Sequence, residues 1–364
     1  MNKCFLGDCR DTMRKLIADG VRVQCIVTSP PYWGLRDYGV DGQLGLEPTL
    51  REFLDNLVEV FSLCRQLLSD DGTLWLNMGD SYAGAGNGMQ GKHGERFDRA
   101  QAPRPPRRGT NAQFKPKDLI GQPWRLAFAL QDDGWWLRQD IIWNKPNPMP
   151  ESVRDRCTKA HEYIFLLSRS ERYYFDQEAI LEPVSPNTHA RLSQNVQAQI
   201  GSERAYGGAK ANGNMKAVGR GNYPAGWARD TEDKKSLLGR YDNRGVTFGH
   251  GTDAEKRGRG RVKNNDSFNA AMAIMPTQRN KRSVWTIPTE SFSGAHFATF
   301  PQALVEPCIL AGSRVNDIVF DPFLGSGTVA QVAQRLGRQW IGCELNPDYV
   351  ALQADRTRQL GMML

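Results

Sequence analysis

Two segments of this chain combine residue types that could do chemistry. Thr28-Ser29-Pro30-Pro31-Tyr32-Trp33 follows the apolar run Cys25-Ile26-Val27, and Asp321-Pro322-Phe323-Leu324-Gly325-Ser326-Gly327-Thr328 follows Val319-Phe320. Each reads as a buried strand that stops abruptly in a loop. Ligands of open α/β sheets bind outside the carboxyl ends of the strands. Two such ends, almost three hundred residues apart, imply one site built from two halves.

The first half suits an amine that must be made to attack. The exocyclic amino group of adenine or cytosine is a poor nucleophile, because its lone pair is delocalised into the ring. Acceptors that take its N–H bonds pyramidalise the nitrogen and free that pair. Ser29 Oγ and the Pro30 carbonyl supply such acceptors, while Pro30 and Pro31 fix the loop. Tyr32 offers a face on which a base flipped out of a duplex can stack. This chemistry is positioning and electrostatic activation. No cysteine stands in the motif, which argues against a covalent route through carbon 5 of cytosine.

The second half suits a nucleoside-bearing cofactor. Gly325 and Gly327 permit a tight turn and close backbone approach, and the amino end of a helix follows at Thr328. A GxG alone is weak. It gains weight because a further strand ends in Glu344, seventeen residues after Gly327, where a carboxylate can accept from both ribose hydroxyls. Ala330 stands three after Gly327, which leaves a nicotinamide cofactor open on this pattern alone, so the proline motif must decide.

These loops need a scaffold, and the pattern provides one. Apolar residues at Phe53, Leu54, Leu57, Val60, Phe61, Cys64 and Leu68 keep a helical period over Glu52–Leu68, with Asp70-Asp71-Gly72 closing the helix. Strands are predicted at Lys3–Leu6, Val21–Val27, Thr73–Met78, Leu137–Trp143, Glu162–Ser168, Asp317–Phe320 and Gln339–Cys343. Helices are predicted at Thr12–Ile17, Gln122–Gln131, Gln302–Ala311 and Thr328–Leu336. The alternation predicts an α/β protein with a mostly parallel sheet. Two stretches interrupt it. Residues 84–117 are rich in Gly, Arg and Pro and read as a loop, and residues 183–283 read as an inserted module.

The 364-residue chain carries a formal charge of +7, and mean hydropathy is −0.55. Residues 183–283 hold 18 Lys and Arg against 8 Asp and Glu, a surplus larger than that of the whole chain. Local basicity beside isolated aromatics such as Trp227, Tyr241 and Phe248 suits a phosphate backbone, with Arg257, Arg259 and Arg261 as the contacts. The seven cysteines show no CxxC pair and no His at ligand spacing, so no metal is expected. No signal peptide or twenty-residue apolar run is evident, and a cytoplasmic, reduced protein without a membrane segment is expected. Lys145 is a candidate for a phosphate or a flipped base. Asp80, Ser81 and Tyr82 could edge the site, and His161 reads as structural.

The proline motif near the amino end and the FxGxG motif near the carboxyl end resemble the β class of amino DNA methyltransferases. The resemblance also rests on Gly7-Asp8-Cys9, Leu74 to Tyr82, Ile141 to Asn147 and Gly342 to Pro347. It implies a Rossmann-like sheet in permuted motif order with an inserted target-recognition region. Residues 1–182 would form the catalytic half, 183–283 the recognition module and 284–364 the cofactor half. It implies S-adenosyl-L-methionine as cofactor, with Asp321, Phe323, Gly325 and Gly327 around its methionine end, Glu344 on its ribose, Asp8 near its adenine or sugar, and Ser326 and Thr328 also among its contacts. Ser29, Pro30, Pro31 and Tyr32 would act on the base. The implied partner is double-stranded DNA, the implied assembly a homodimer, and the implied setting restriction-modification. Ser29 replaces the family's frequent Asp or Asn and leans toward cytosine N4; the prevalence of adenine-N6 methylation puts adenine slightly ahead. Two rivals stand: a methyltransferase acting on RNA or a protein glutamine, and a catalytically idle DNA-binding protein of the same fold.

Overall fold

The central strands of the sheet are buried on both faces, and that burial dictates the layers around them. The structure is a computed structural model, and it describes residues 2–83, 114–184, 277–290 and 300–358. In chain order its elements begin with β1 (Lys3–Leu6), α1 (Cys9–Ala18), β2 (Val23–Thr28), α2 (Leu50–Leu67) and β3 (Leu68–Met78). There follow α3 (Gln122–Asp132), β4 (Trp136–Asn144), β5 (His161–Ser168), β6 (Glu182–Pro183), β7 (Gln278–Arg279) and β8 (Val284–Thr286). The chain closes with α4 (Gln302–Gly312), β9 (Ile318–Asp321), α5 (Thr328–Arg335), β10 (Gln339–Glu344) and α6 (Pro347–Arg358).

Eight strands form one sheet in the order β1-β10-β9-β2-β3-β5-β4-β8. Its pairs are parallel except those made by β5, which runs against both β3 and β4. Alternate residues face opposite cores. Ile26, Leu74, Leu76, Ile341 and Cys343 join a cluster with Met13, Phe53 and Phe61 from α1 and α2. Cys25, Val27, Trp75 and Trp340 join another with Val305, Ile309 and Val332 from α4 and α5. Helices on both faces of a mostly parallel sheet follow from strands without a polar side.

The chain divides into two units, one comprising Met1–Ile180 with Lys281–Leu364 and the other Leu181–Asn280. In the second, β6 and β7 pair antiparallel, and Arg279 lies 3.6 Å from Glu182. Most of the expected recognition module, including Arg257, Arg259 and Arg261, lies outside the described residues, as do residues 84–113 of the expected loop.

Two details differ from the sequence pattern. No turn separates α2 from β3: Leu68 is already extended, with φ −65° and ψ 147°, whereas the pattern sets Asp70-Asp71-Gly72 between them. The register of β2 against β3 instead shifts between Val23 and Cys25, and Gly72 lets the Leu68 side chain pack onto the irregular stretch. In addition β5, an apolar run like its neighbours, turns out antiparallel, a direction that no local pattern encodes.

Candidate active site

β2 and β9 lie side by side, with Cys25 opposite Val319 and Ile26 opposite Phe320, so the two motifs end at the same edge of the sheet. Their last residues touch. Thr28, fully buried, donates its hydroxyl to Asp321 Oδ1 at 2.6 Å. The same oxygen accepts the Phe323 N–H at 2.9 Å, which turns the chain sharply out of β9. Burial pushes the Asp321 carboxyl up to about 7, against these two donors, which pull it down. A desolvated carboxylate in a cleft is a recognised mark of a functional site.

The following loop is held against β10. Leu324 N–H donates to Cys343 O at 2.9 Å, and Gly342 leaves room for the Leu324 side chain, which a Cβ there would meet at 2.5 Å. Gly325 and Gly327 take φ of +53° and +88°, open to glycine at little cost. Gly327 caps the amino end of α5. At the end of β10, Glu344 accepts from Gly325 N–H at 2.7 Å and from Asn346 N–H at 2.8 Å, and burial raises its carboxyl while these amides lower it.

A cavity of about 350 Å³ joins the halves, and Ser29, Pro30, Tyr32, Asp321, Phe323 and Glu344 all line it. That volume lies at the lower end of the range typical of small-molecule pockets. Asp8, Lys145, Gly325, Ser326 and Thr328 line it too. Several of these also have work within the fold. Asp8 caps α1 through Arg10 N–H at 2.8 Å and pairs with the Arg10 guanidinium at 2.7 Å, whose hydrogen bonds lower its carboxyl. Ser326 and Thr328 hydroxyls accept from Arg356 of α6 at 3.0 and 2.6 Å. Ser326 and Thr328 thus tie the loop to α6.

At the other end of the cavity the structure brings in a residue to which the sequence reading gives no role. Glu162, second residue of β5, accepts from Tyr32 Oη at 2.9 Å, from Asn77 Nδ2 at 3.3 Å and from Lys145 Nζ at 2.5 Å. Lys145 also lies 4.2 Å over the Trp143 ring. Burial first, and the Glu162 carboxylate next, hold the Tyr32 phenol well above its ordinary range. Because β5 is antiparallel, its amino end meets the carboxyl ends of β2, β3 and β4. The only signal in the sequence was a polar pair, His161-Glu162, opening an apolar run.

Asp80 and His161 do other things. Asp80 accepts from the Gly121 and Gln122 amides and so fixes the start of α3. His161 packs edge-on against Tyr163 at 5.4 Å, and its imidazole is lowered by burial and by Lys159. Five cysteines are buried, as their apolar neighbours predict, Cys4 is partly so and Cys157 is exposed. Among the described residues no cluster of three His, Cys, Asp or Glu could hold a metal ion, and no helix is long and apolar enough to cross a membrane.

Comparison with known proteins supplies a family. The sequence matches the DNA methylase family over residues 23–355. It is 41% identical over 352 residues to the type II methyltransferase M.Cfr9I of Citrobacter freundii, covering 97% of this chain and 86% of that protein. It is 41% identical over 354 residues to M.SmaI of Serratia marcescens, covering 97% and 90%. Among solved structures, the PvuII DNA methyltransferase, cytosine-N4-specific, superposes with a TM-score of 0.52 at 17% identity, covering 98% of this chain and 86% of that one. A Thermus thermophilus protein in complex with S-adenosyl-L-methionine superposes with 0.51 at 19% identity, covering 100% and 96%. These two likenesses are of fold.

Proposed function

The chain belongs to the DNA methylase family and is a DNA methyltransferase, and on that premise we propose that it methylates cytosine N4 within a specific duplex sequence. The observation that carries the reading is the convergence of Ser29-Pro30-Pro31-Tyr32 and the Asp321–Glu344 cradle on one cavity. The residues fit S-adenosyl-L-methionine, whose ammonium and ribose diol are donors and cations matched to two desolvated carboxylates, Asp321 and Glu344. When bound, it supplies an electrophilic methyl group on a sulfonium.

The chain's own residues do the rest. Ser29 Oγ and the Pro30 carbonyl accept the two N–H bonds of the target amine and aim its lone pair. Tyr32 bounds the plane of the base. Cytosine is favoured over adenine for two reasons. Serine at position 29 leans that way in the family. Lys145, which lines the cavity, suits a base with a carbonyl acceptor on the same edge as its amine, which adenine lacks. Plasmid DNA treated with the protein and labelled S-adenosyl-L-methionine, then digested to nucleosides, tests this by mass spectrometry. N4-methylcytosine is the expected product; N6-methyladenine overturns the base assignment, and no labelled nucleoside overturns the function.

The basic residues 183–283 serve as the DNA-recognition module in the cytoplasm, and the charge surplus there supports this role. DNA affinity then falls with salt by a slope of about −0.9 per phosphate neutralised. Substituting Arg257, Arg259 and Arg261 together by Gln flattens the slope and leaves cofactor affinity unchanged. A slope identical to the parent's would remove those arginines from the interface. The family resemblance further points to a homodimer. Sedimentation of the protein alone and on a short duplex is expected to give two chains per particle, and a monomer in both conditions would refute it.

A further inference from the structure

Glu162 receives three donors from three different strand ends: Tyr32 beyond β2, Asn77 in β3 and Lys145 beyond β4. All three line the cavity, as does Glu162 itself, beside the acceptors assigned to the target amine. The Glu162 and Lys145 side chains retain only 17% and 18% of their exposure, so this is not a solvated surface pair. The packing leaves no slack. A Cβ on Gly79 would lie 2.9 Å from Tyr32 Cε2 and 3.1 Å from Glu162 Cδ, so ring and carboxylate sit directly against backbone.

The chemistry of the cluster requires a carboxylate. A phenol, an amide NH₂ and an ammonium converge, and only an acceptor-only side chain with two oxygens can serve all three. An ammonium near a base-binding wall would otherwise seek any acceptor that enters, and the Tyr32 hydroxyl would lose its carboxylate partner. Resting on the function proposed above, we infer that Glu162 is the positioning residue of the base-binding end, holding the Tyr32 ring and the Lys145 ammonium in the geometry that receives the target base. Glu162 touches no reacting atom in this role; it acts through its two partners.

The substitution Glu162→Gln tests it, since it keeps volume while placing an NH₂ among donors. Misplacement of about 1 Å costs on the order of 10²-fold in rate, so kcat for methyl transfer to plasmid DNA should fall by about that factor. Affinity for S-adenosyl-L-homocysteine, measured by calorimetry, should stay within about twofold, which also reports that the protein remains folded. If Glu162 acts through the Tyr32 hydroxyl, much of its effect is already spent in Tyr32→Phe, and adding E162Q to that variant costs less than about threefold; a merely structural carboxylate gives multiplicative losses.

A second measurement does not need activity. Lys145 in E162Q should react several-fold faster with an acylating reagent, read by peptide mass spectrometry, while Lys117, whose ammonium pairs with Asp155 away from Glu162, serves as internal control. Unchanged kcat, multiplicative losses or an unaltered Lys145 labelling rate would each overturn the inference. Parent protein that transfers no methyl group to DNA would instead sink the proposed function, and the labelling rates would still decide the role of Glu162.

Discussion

Replacing Ser29 by Ala is expected to lower kcat for methyl transfer by about 10²–10³-fold, the range seen when one preorganised polar contact to a reacting centre is removed. The cofactor should bind as before. The reason lies in the division of labour between adjacent strands. Thr28, not Ser29, reaches across to Asp321, so the hydrogen bond that couples β2 to the cofactor cradle survives the substitution. On the proposed assignment, what is lost is one of two acceptors for the target amine. With ground-state binding of DNA assigned to phosphate contacts in the proposed recognition module, KM for DNA should move little, which is the pattern of an interaction realised in the transition state. Calorimetry with S-adenosyl-L-homocysteine separates the alternatives: loss of cofactor binding in Ser29→Ala would mean that the residue supports the cradle, and the assignment of the base side would fall.

The two motifs were legible in the sequence because each is a local event, an apolar strand broken by residues with unusual backbone demands. Pro30-Pro31 and Gly325-x-Gly327 carry their conformational meaning in their own covalent structure. That they meet was also foreseeable, since both end strands of one parallel sheet. Glu162 was not legible, because its place depends on β5 running against β3 and β4, and the run of residues 161–168 reads the same in either direction. For Asp8 and Asp80 the sequence offered an acid at a strand end without saying what it faced. The structure gives each a partner, Arg10 for Asp8 and the start of α3 for Asp80. Ser326 and Thr328 look like loop residues free to meet a ligand, yet Arg356, 28 or more positions later, takes their hydroxyls. Long-range donors of that kind leave no mark on local pattern.

Glu344 carries the other large effect. Each of its oxygens already accepts one backbone amide, Gly325 for Oε2 and Asn346 for Oε1, which orients the carboxylate before any ligand arrives. A carboxylate oxygen has a second lone pair, so both remain able to accept a hydroxyl, and the two oxygens match a vicinal diol. Burial has raised its carboxyl, so the charged form is held at a cost that new donors would repay. Hydrogen bonds to a charged group contribute about 1.5–3 kcal/mol, so Glu344→Ala should weaken S-adenosyl-L-homocysteine by roughly 10- to 150-fold. The loss has two parts, since the variant also releases the Gly325 and Asn346 amides and loosens the turn before α5. Comparing S-adenosyl-L-homocysteine with its 2′-deoxy and 3′-deoxy analogues on parent and variant separates them. In the parent, each missing hydroxyl should weaken binding; in Glu344→Ala, that discrimination should vanish while a weaker residual affinity remains. Equal discrimination in both proteins would show that Glu344 only shapes the loop, and the ribose would need another acceptor.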